Sequence, residues 1–173
     1  VFLWRSRKIF SGFYVLAPHR VWDEDRVCLA IANLYLSVMT ANLKEFLEAC
    51  TTLGTLRLIV TSSAAVLETK GTIEKLFYAE LPKGKYANMH KDLFEFHLNM
   101  DAIKRVKFET GEAKRGNFTT YAIRFLDEKE EPALSAFLQW GKPGEYEPGQ
   151  VDAWQALREK YGEAWEPAPV EAL

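Results

Sequence analysis

From residue 92 onward the chain is a succession of short strand-like runs with no helix between them long enough to carry one strand across a sheet. The runs "DLFEFHLN" (92–99), "KRVKFETGEA" (104–113), "FTTYAIRFLD" (118–127) and "PALSAFLQW" (132–140) are parted only by "MDAI", "KRGN" and "EKEE". Parallel neighbours need a crossover of a dozen or more residues, so these spacings predict antiparallel pairing. Upstream, "TLRLIVTS" (55–62) and "AVLETKG" (65–71) read as a hairpin about Ser62 and Ser63, and "KLFYAEL" (75–81) as a further strand. "PKGKYANMHK" (82–91), marked by Pro82 and Gly84, reads as a loop, and "MDAI" as a single helical turn.

Helices are expected at both ends of this run. Asn42 and Glu45 fit a capping box. Behind them Leu43, Phe46, Leu47, Cys50 and Leu53 recur at helical spacing, and Gly54 suits the left-handed residue that stops a helix. After "GKPGEYEPGQ", Val151, Trp154, Leu157 and Tyr161 trace the apolar stripe of a closing helix ended by Gly162. The fold class is therefore α+β: an antiparallel sheet of about seven strands flanked by N- and C-terminal helices.

The chain of 173 residues suits one domain able to bury about two thirds of its unfolded surface, with no need of a metal or disulfide staple. Residues 1–38 mix aromatics with Arg and Lys without period and are expected to be an upstream extension ahead of a natural start at Met39. An added hairpin or helix packed on the domain is the alternative. His19 falls there and is given no function. The domain proper is expected over 39–165, with a frayed tail over 166–173. A net charge of -2 argues against a nucleic-acid binder. No apolar run approaches the roughly 18 residues of a membrane helix. Cys28 and Cys50 have no metal-ligand spacing; Cys50 reads as a buried thiol, and the cytosol is the expected compartment.

Candidate chemistry gathers at "YANMHKDLFEFHLNMDAIKRV", which holds His90 and His97. On a strand over 92–99, Phe94, Phe96 and Leu98 share one face and Leu93, Glu95, His97 and Asn99 the other, so His97 turns away from the phenylalanine side. His90 lies at the mouth of that strand, in a segment carrying Lys83, Lys85 and Tyr86. Lysines to pair carboxylates, an imidazole for a metal and a ring to stack suit a flat anionic ligand such as haem. Arg105 and Arg124 are further candidate partners for propionates; Arg105 belongs with Lys107 on a strand face that reads as solvated. No nucleophile elbow, phosphate loop, dinucleotide glycine signature or H-E-x-x-H is present, and neither Glu95 nor Glu109 is expected to pair with a histidine on a strand face.

The stretch "LPKGKYANMHKDLFEFHLNMDAIKRVKFE" resembles the haem-utilisation proteins of the HutX/ChuX type, and the half-domains of HemS/ChuS proteins. The likeness is carried by Pro82-Lys83-Gly84, Asn88-Met89-His90, His97-Leu98 and Asp101-Ala102-Ile103, in the family's order. Asp127, Gly141 to Glu145 and Trp154 extend it through "YAIRFLDEKEEPALSAFLQWGKPGE". The chain departs from the family at Lys91 and Phe96, where glycines are usual, and in "LQWGK", which lacks an arginine of the family's "F-x-G-R". The resemblance implies an antiparallel sheet with flanking helices, often dimeric, that binds haem in the cytoplasm through histidine and basic residues. On that footing His97 is the first choice of iron ligand and His90 the second, with Lys83, Lys85, Arg105 and Arg124 as propionate partners. The implied function is intracellular haem carriage, storage or utilisation by a homodimer, without nucleic acid or membrane insertion. A haem-degrading enzyme on the same scaffold, or a dimeric module that has lost haem, are the alternatives.

Overall fold

Asn42 opens the first helix by accepting a hydrogen bond from the Glu45 backbone N–H at 3.0 Å, as a cap residue does. This comes from a computed structural model that describes residues 41–114 and 116–170. The expected extension over 1–38, with His19 and Cys28, lies outside the described residues, and so do 171–173 of the tail. Helix α1 (Leu43–Ala49) tightens into a 3₁₀ turn (Cys50–Leu53) and stops at Gly54, whose φ of 65° is left-handed. Cys50 is buried as expected, and burial pushes its thiol pKa up.

The hairpin β1 (Thr55–Thr61) and β2 (Val66–Thr72) follows. Its turn is held by the Ser62 backbone N–H donating to the Ala65 carbonyl at 2.8 Å. The chain then builds a separate small sheet from β3 (Phe77–Leu81), β4 (Gly84–His90) and β5 (Glu95–Asn99), in the order β3-β4-β5. A 3₁₀ turn (Met100–Ala102) leads to β6 (Arg105–Glu112), β7 (Thr119–Leu126) and β8 (Pro132–Leu138). Two short strands, β9 (Trp140–Lys142) and β10 (Glu145–Tyr146), form a small hairpin. Helix α2 (Gln150–Tyr161) and β11 (Ala164–Trp165) close the domain. The large sheet runs β11-β6-β7-β8-β1-β2, and its pairs are antiparallel. The architecture is α+β, as the turn spacings predict.

The described strands divide among sheets of six, three and two instead of one sheet of about seven, so β5 and β6, parted only by "MDAI", are not the neighbours their spacing predicts. Two segments depart from expectation as well. Residues 82–91 are not a loop: only Pro82 and Lys83 turn, and Gly84 begins β4. The signals of Pro82 and Gly84 mask a strand in which Ala87 and Met89 alternate inward. Gly84 has a φ of 128°, and a Cβ there would stand 2.8 Å from the Asp101 carboxylate. The second correction concerns 166–170, which do not fray. Trp165 is buried, the Ala168 N–H donates to the Ala41 carbonyl at 2.9 Å, and Val170 packs on the core.

One core joins these layers. Leu56, Leu58, Val106, Phe108, Ile123, Phe125, Leu134, Ala136 and Leu138 alternate onto the inner face of the large sheet. Phe46 of α1 meets Phe108, Phe125, Tyr161 and Trp165 with ring centroids 4.9–6.0 Å apart. Ala87 and Leu98 of the small sheet enter the same cluster. Tyr78 of β3 reaches α1, donating its hydroxyl to Glu48 at 2.7 Å beneath the Lys44 ammonium. Helix α1 is thus held between the two sheets, and the far face of the small sheet is turned outward.

Candidate functional site

Register decides what that outward face carries. Asn88 pairs with Phe77 on one side and His97 on the other, His90 pairs with Glu95, and Tyr86 with Asn99. Directly opposed residues share a face. Phe77, Tyr86, Asn88, His90, Glu95, His97 and Asn99 therefore stand together, while Ala87, Met89 and Leu98 point to the core. His97 turns away from the phenylalanine side as predicted, and its side chain is 48% exposed. His90 is the last residue of β4 rather than a loop residue.

The side chain that organises this face is Asn88, which is only 3% exposed. Its Nδ2 donates to the carbonyls of Phe77 at 3.3 Å and Tyr86 at 3.2 Å. With the amide nitrogen so engaged, its Oδ1 faces Nδ1 of His97 at 2.8 Å. A carbonyl oxygen accepts, so Nδ1 of His97 carries the proton, and Nε2 is left as the ligating atom of the neutral ring. Beyond it lies Glu95, whose Oε2 is 3.4 Å from Nε2. The sequence expectation that Glu95 has no histidine partner is thereby overturned: Glu95 and His97 lie two apart on one face of β5. His90 stands beside them, its ring centroid 5.8 Å from that of His97 and 4.8 Å from that of Phe77, edge to face in both cases. The ligand atoms of His90, Glu95 and His97 all lie within 4.8 Å of one another.

The four cations expected beside the histidines are dispersed. Lys83 is exposed at the β3–β4 turn, about 20 Å from His90 at the usual rise per strand residue. Lys85 alternates onto the other face of β4, where its ammonium meets the Val170 carbonyl. Arg105 and Arg124 belong to the outer face of the large sheet. Arg105 pairs with Glu130 at 3.3 Å and Glu166 at 3.1 Å. Arg124 pairs with Glu109 at 2.9 Å, donates to the Ser135 hydroxyl at 2.7 Å and lies over the Phe137 ring. Burial pushes the Glu109 carboxyl up, but hydrogen bonds and charge from Arg124 and Lys107 outweigh it and hold the group below its ordinary value. A cavity of about 430 Å³ joins Arg105, Lys107, Glu109 and Arg124, and it does not reach His90 or His97.

The two departures from the glycines of the resembling family are also explained. Lys91 ties the end of β4 to Glu74 and to the Thr72 hydroxyl. Phe96 faces inward and packs against the core. Neither occupies the histidine face. Asn88 and Glu95 are the residues missed from sequence. Asn88 is found only through the hairpin register that pairs it with His97, which a loop over 82–91 hides; Glu95 is legible from its two-residue spacing to His97 on one strand face.

Known proteins share this arrangement of strands. A protein from Agrobacterium tumefaciens has a TM-score of 0.57 at 18% identity, over 68% of this chain and 66% of its own. The heme-binding protein ChuX gives 0.57 at 17% identity, over 68% of this chain and 70% of its own. Holo-PhuS, a heme-binding protein from Pseudomonas aeruginosa, gives 0.51 at 22% identity, over 68% of this chain and 31% of its own. At these identities the likeness establishes the fold. No curated protein matches the chain. The sequence model of the family described as "Haem utilisation ChuX/HutX" matches residues 36–157, which is most of the chain. On that match, this chain belongs to the ChuX/HutX haem utilisation family.

Proposed function

We propose that this protein binds haem on the outer face of the small sheet, with Nε2 of His97 as the iron ligand, and carries or stores it in the cytoplasm. The observation that supports this reading is the buried amide of Asn88, whose Oδ1 accepts from Nδ1 of His97, so that this nitrogen keeps the ring proton and Nε2 is left to ligate. Imidazole is a common axial ligand of haem iron. Phe77, 43% exposed beside His90, offers an aromatic surface to a flat macrocycle. Two proteins of similar fold, ChuX and PhuS, are heme-binding proteins, which supports the same ligand here.

The site is an open face, which suits a carrier that must release its cargo. Of the expected cations, only Lys83 keeps its side chain toward solvent on this sheet, so charge pairing is a minor part of recognition and His97 the main part. No helix among the described residues is long and apolar enough to cross a membrane. Val66 and Leu67, 61% and 71% exposed on the edge strand β2, support a homodimer.

Hemin titration followed at the Soret band tests the reading. His97→Ala is expected to weaken binding at least about tenfold, the lower end of what loss of a mere supporting partner costs at a metal site. His90→Ala is expected to weaken it less. Unchanged affinity and spectrum in His97→Ala would overturn the assignment. With a reductant and oxygen, a carrier keeps its Soret band, and conversion to a product spectrum would identify a degrading enzyme.

A further inference from the structure

The geometry points to a second ligand for the same face: we propose that His90, Glu95 and His97 bind a free divalent transition-metal ion, zinc in the first place, independently of any tetrapyrrole.

Two nitrogen donors and one carboxylate oxygen within 4.8 Å of one another are the donor set of a three-ligand zinc site that keeps a position for water. Zinc–ligand bonds of about 2.0–2.1 Å place tetrahedral ligands about 3.3 Å apart. Nε2 of His97 and Oε2 of Glu95 already stand at 3.4 Å. His90 is opposite Glu95 in the ladder, and His97 is its diagonal neighbour, both within side-chain reach. A rotamer adjustment of one exposed imidazole completes the set.

Electrostatics favours a cation at this point. Asn88 fixes the proton on Nδ1 of His97, so the neutral ring turns a lone pair toward the Glu95 carboxylate. Two acceptors facing each other repel unless a cation lies between them. A proton on Nε2 does this for one pair, and a metal ion does it for all three donors. Two imidazoles select borderline ions such as zinc, copper and nickel over calcium and magnesium, which prefer oxygen. Asn88 is the outer partner that ligating histidines generally have.

Zinc and haem would share His97, but only zinc uses Glu95. The test is a zinc titration of the untagged full chain at neutral pH in competition with a chromophoric chelator, with a parallel hemin titration. Saturable binding is expected, weakened at least about tenfold in Glu95→Gln and in His90→Ala, with hemin affinity retained in Glu95→Gln. Zinc and hemin should each lower the affinity of the other by the same factor, since both claim Nε2 of His97. Absence of zinc binding, zinc binding unchanged in Glu95→Gln, or loss of hemin together with zinc in that variant would overturn the proposal. Zinc bound by these three residues in a protein that takes up no hemin would sustain it and refute the haem reading instead.

Discussion

Replacing Asn88 by alanine removes the support of the proposed iron ligand without touching the ligand. The amide makes hydrogen bonds to the Phe77 and Tyr86 carbonyls and to Nδ1 of His97. At a net worth of about 0.5–1.5 kcal/mol each, their loss costs about 2–4 kcal/mol. For a domain of this size each kcal/mol moves Tm by about 2–4 °C, so a fall of roughly 4–16 °C is expected in differential scanning calorimetry. Hemin affinity should fall about 10–100-fold, because His97 loses both its preferred tautomer and its orientation. Asn88→Asp separates the two effects. Its carboxylate faces two carbonyl oxygens, so the Tm should recover little, yet it again accepts from Nδ1 of His97, and hemin affinity should recover in large part. Should Asn88→Ala bind hemin like the wild type, or should the aspartate variant lose affinity in step with stability, Asn88 would be a packing residue only and the reasoning would fail.

Two further outcomes test the frame around the site. Gly84→Ala is expected to destabilise by about 1–3 kcal/mol in urea unfolding, because φ is 128° there and a Cβ would meet the Asp101 carboxylate. Glu109 has a folded pKa below its ordinary 4.5, so it stabilises the fold above that pH, and the contribution is lost as pH falls through the folded value. The Tm difference between wild type and Glu109→Gln should therefore be widest near neutrality and close in acid.

Much of this fold is legible in sequence because its local signals agree. The Asn42–Glu45 cap, the helical spacing through Leu53 and the stop at Gly54 name one helix, and the structure returns it. The stripe of Trp154, Leu157 and Tyr161 is buried as expected. Short turns correctly imply antiparallel pairing of β1 with β2, β6 with β7 and β7 with β8, but not of β5 with β6, which are parted by a turn as short and lie in different sheets. What sequence does not reveal is which strands share a sheet, since that depends on long-range register. The division into a large and a small sheet, and β4 itself, follow from pairings such as Asn88 with His97 that no local pattern states. The same limit governs the site. The pleat alone turns His97 outward beside Glu95, but Asn88 and His90 come to it from the neighbouring strand. Arg105 and Arg124 look available in one dimension, whereas in three they are engaged by Glu130, Glu166 and Glu109.

The small sheet is a single excursion of the chain, leaving the large sheet after β2 and rejoining it at β6. The ladders of the large sheet, β6 with β7, β7 with β8 and β8 with β1, are complete without it. Loosening the excursion breaks its own two ladders, its grip on α1 and the contacts of Ala87 and Leu98 in the shared core, but none of the backbone ladders of the large sheet. The part that would meet a cargo is thus hung on the frame instead of woven through it. Its outward face can be rewritten residue by residue, while Ala87, Phe96 and Leu98 keep it seated on the core.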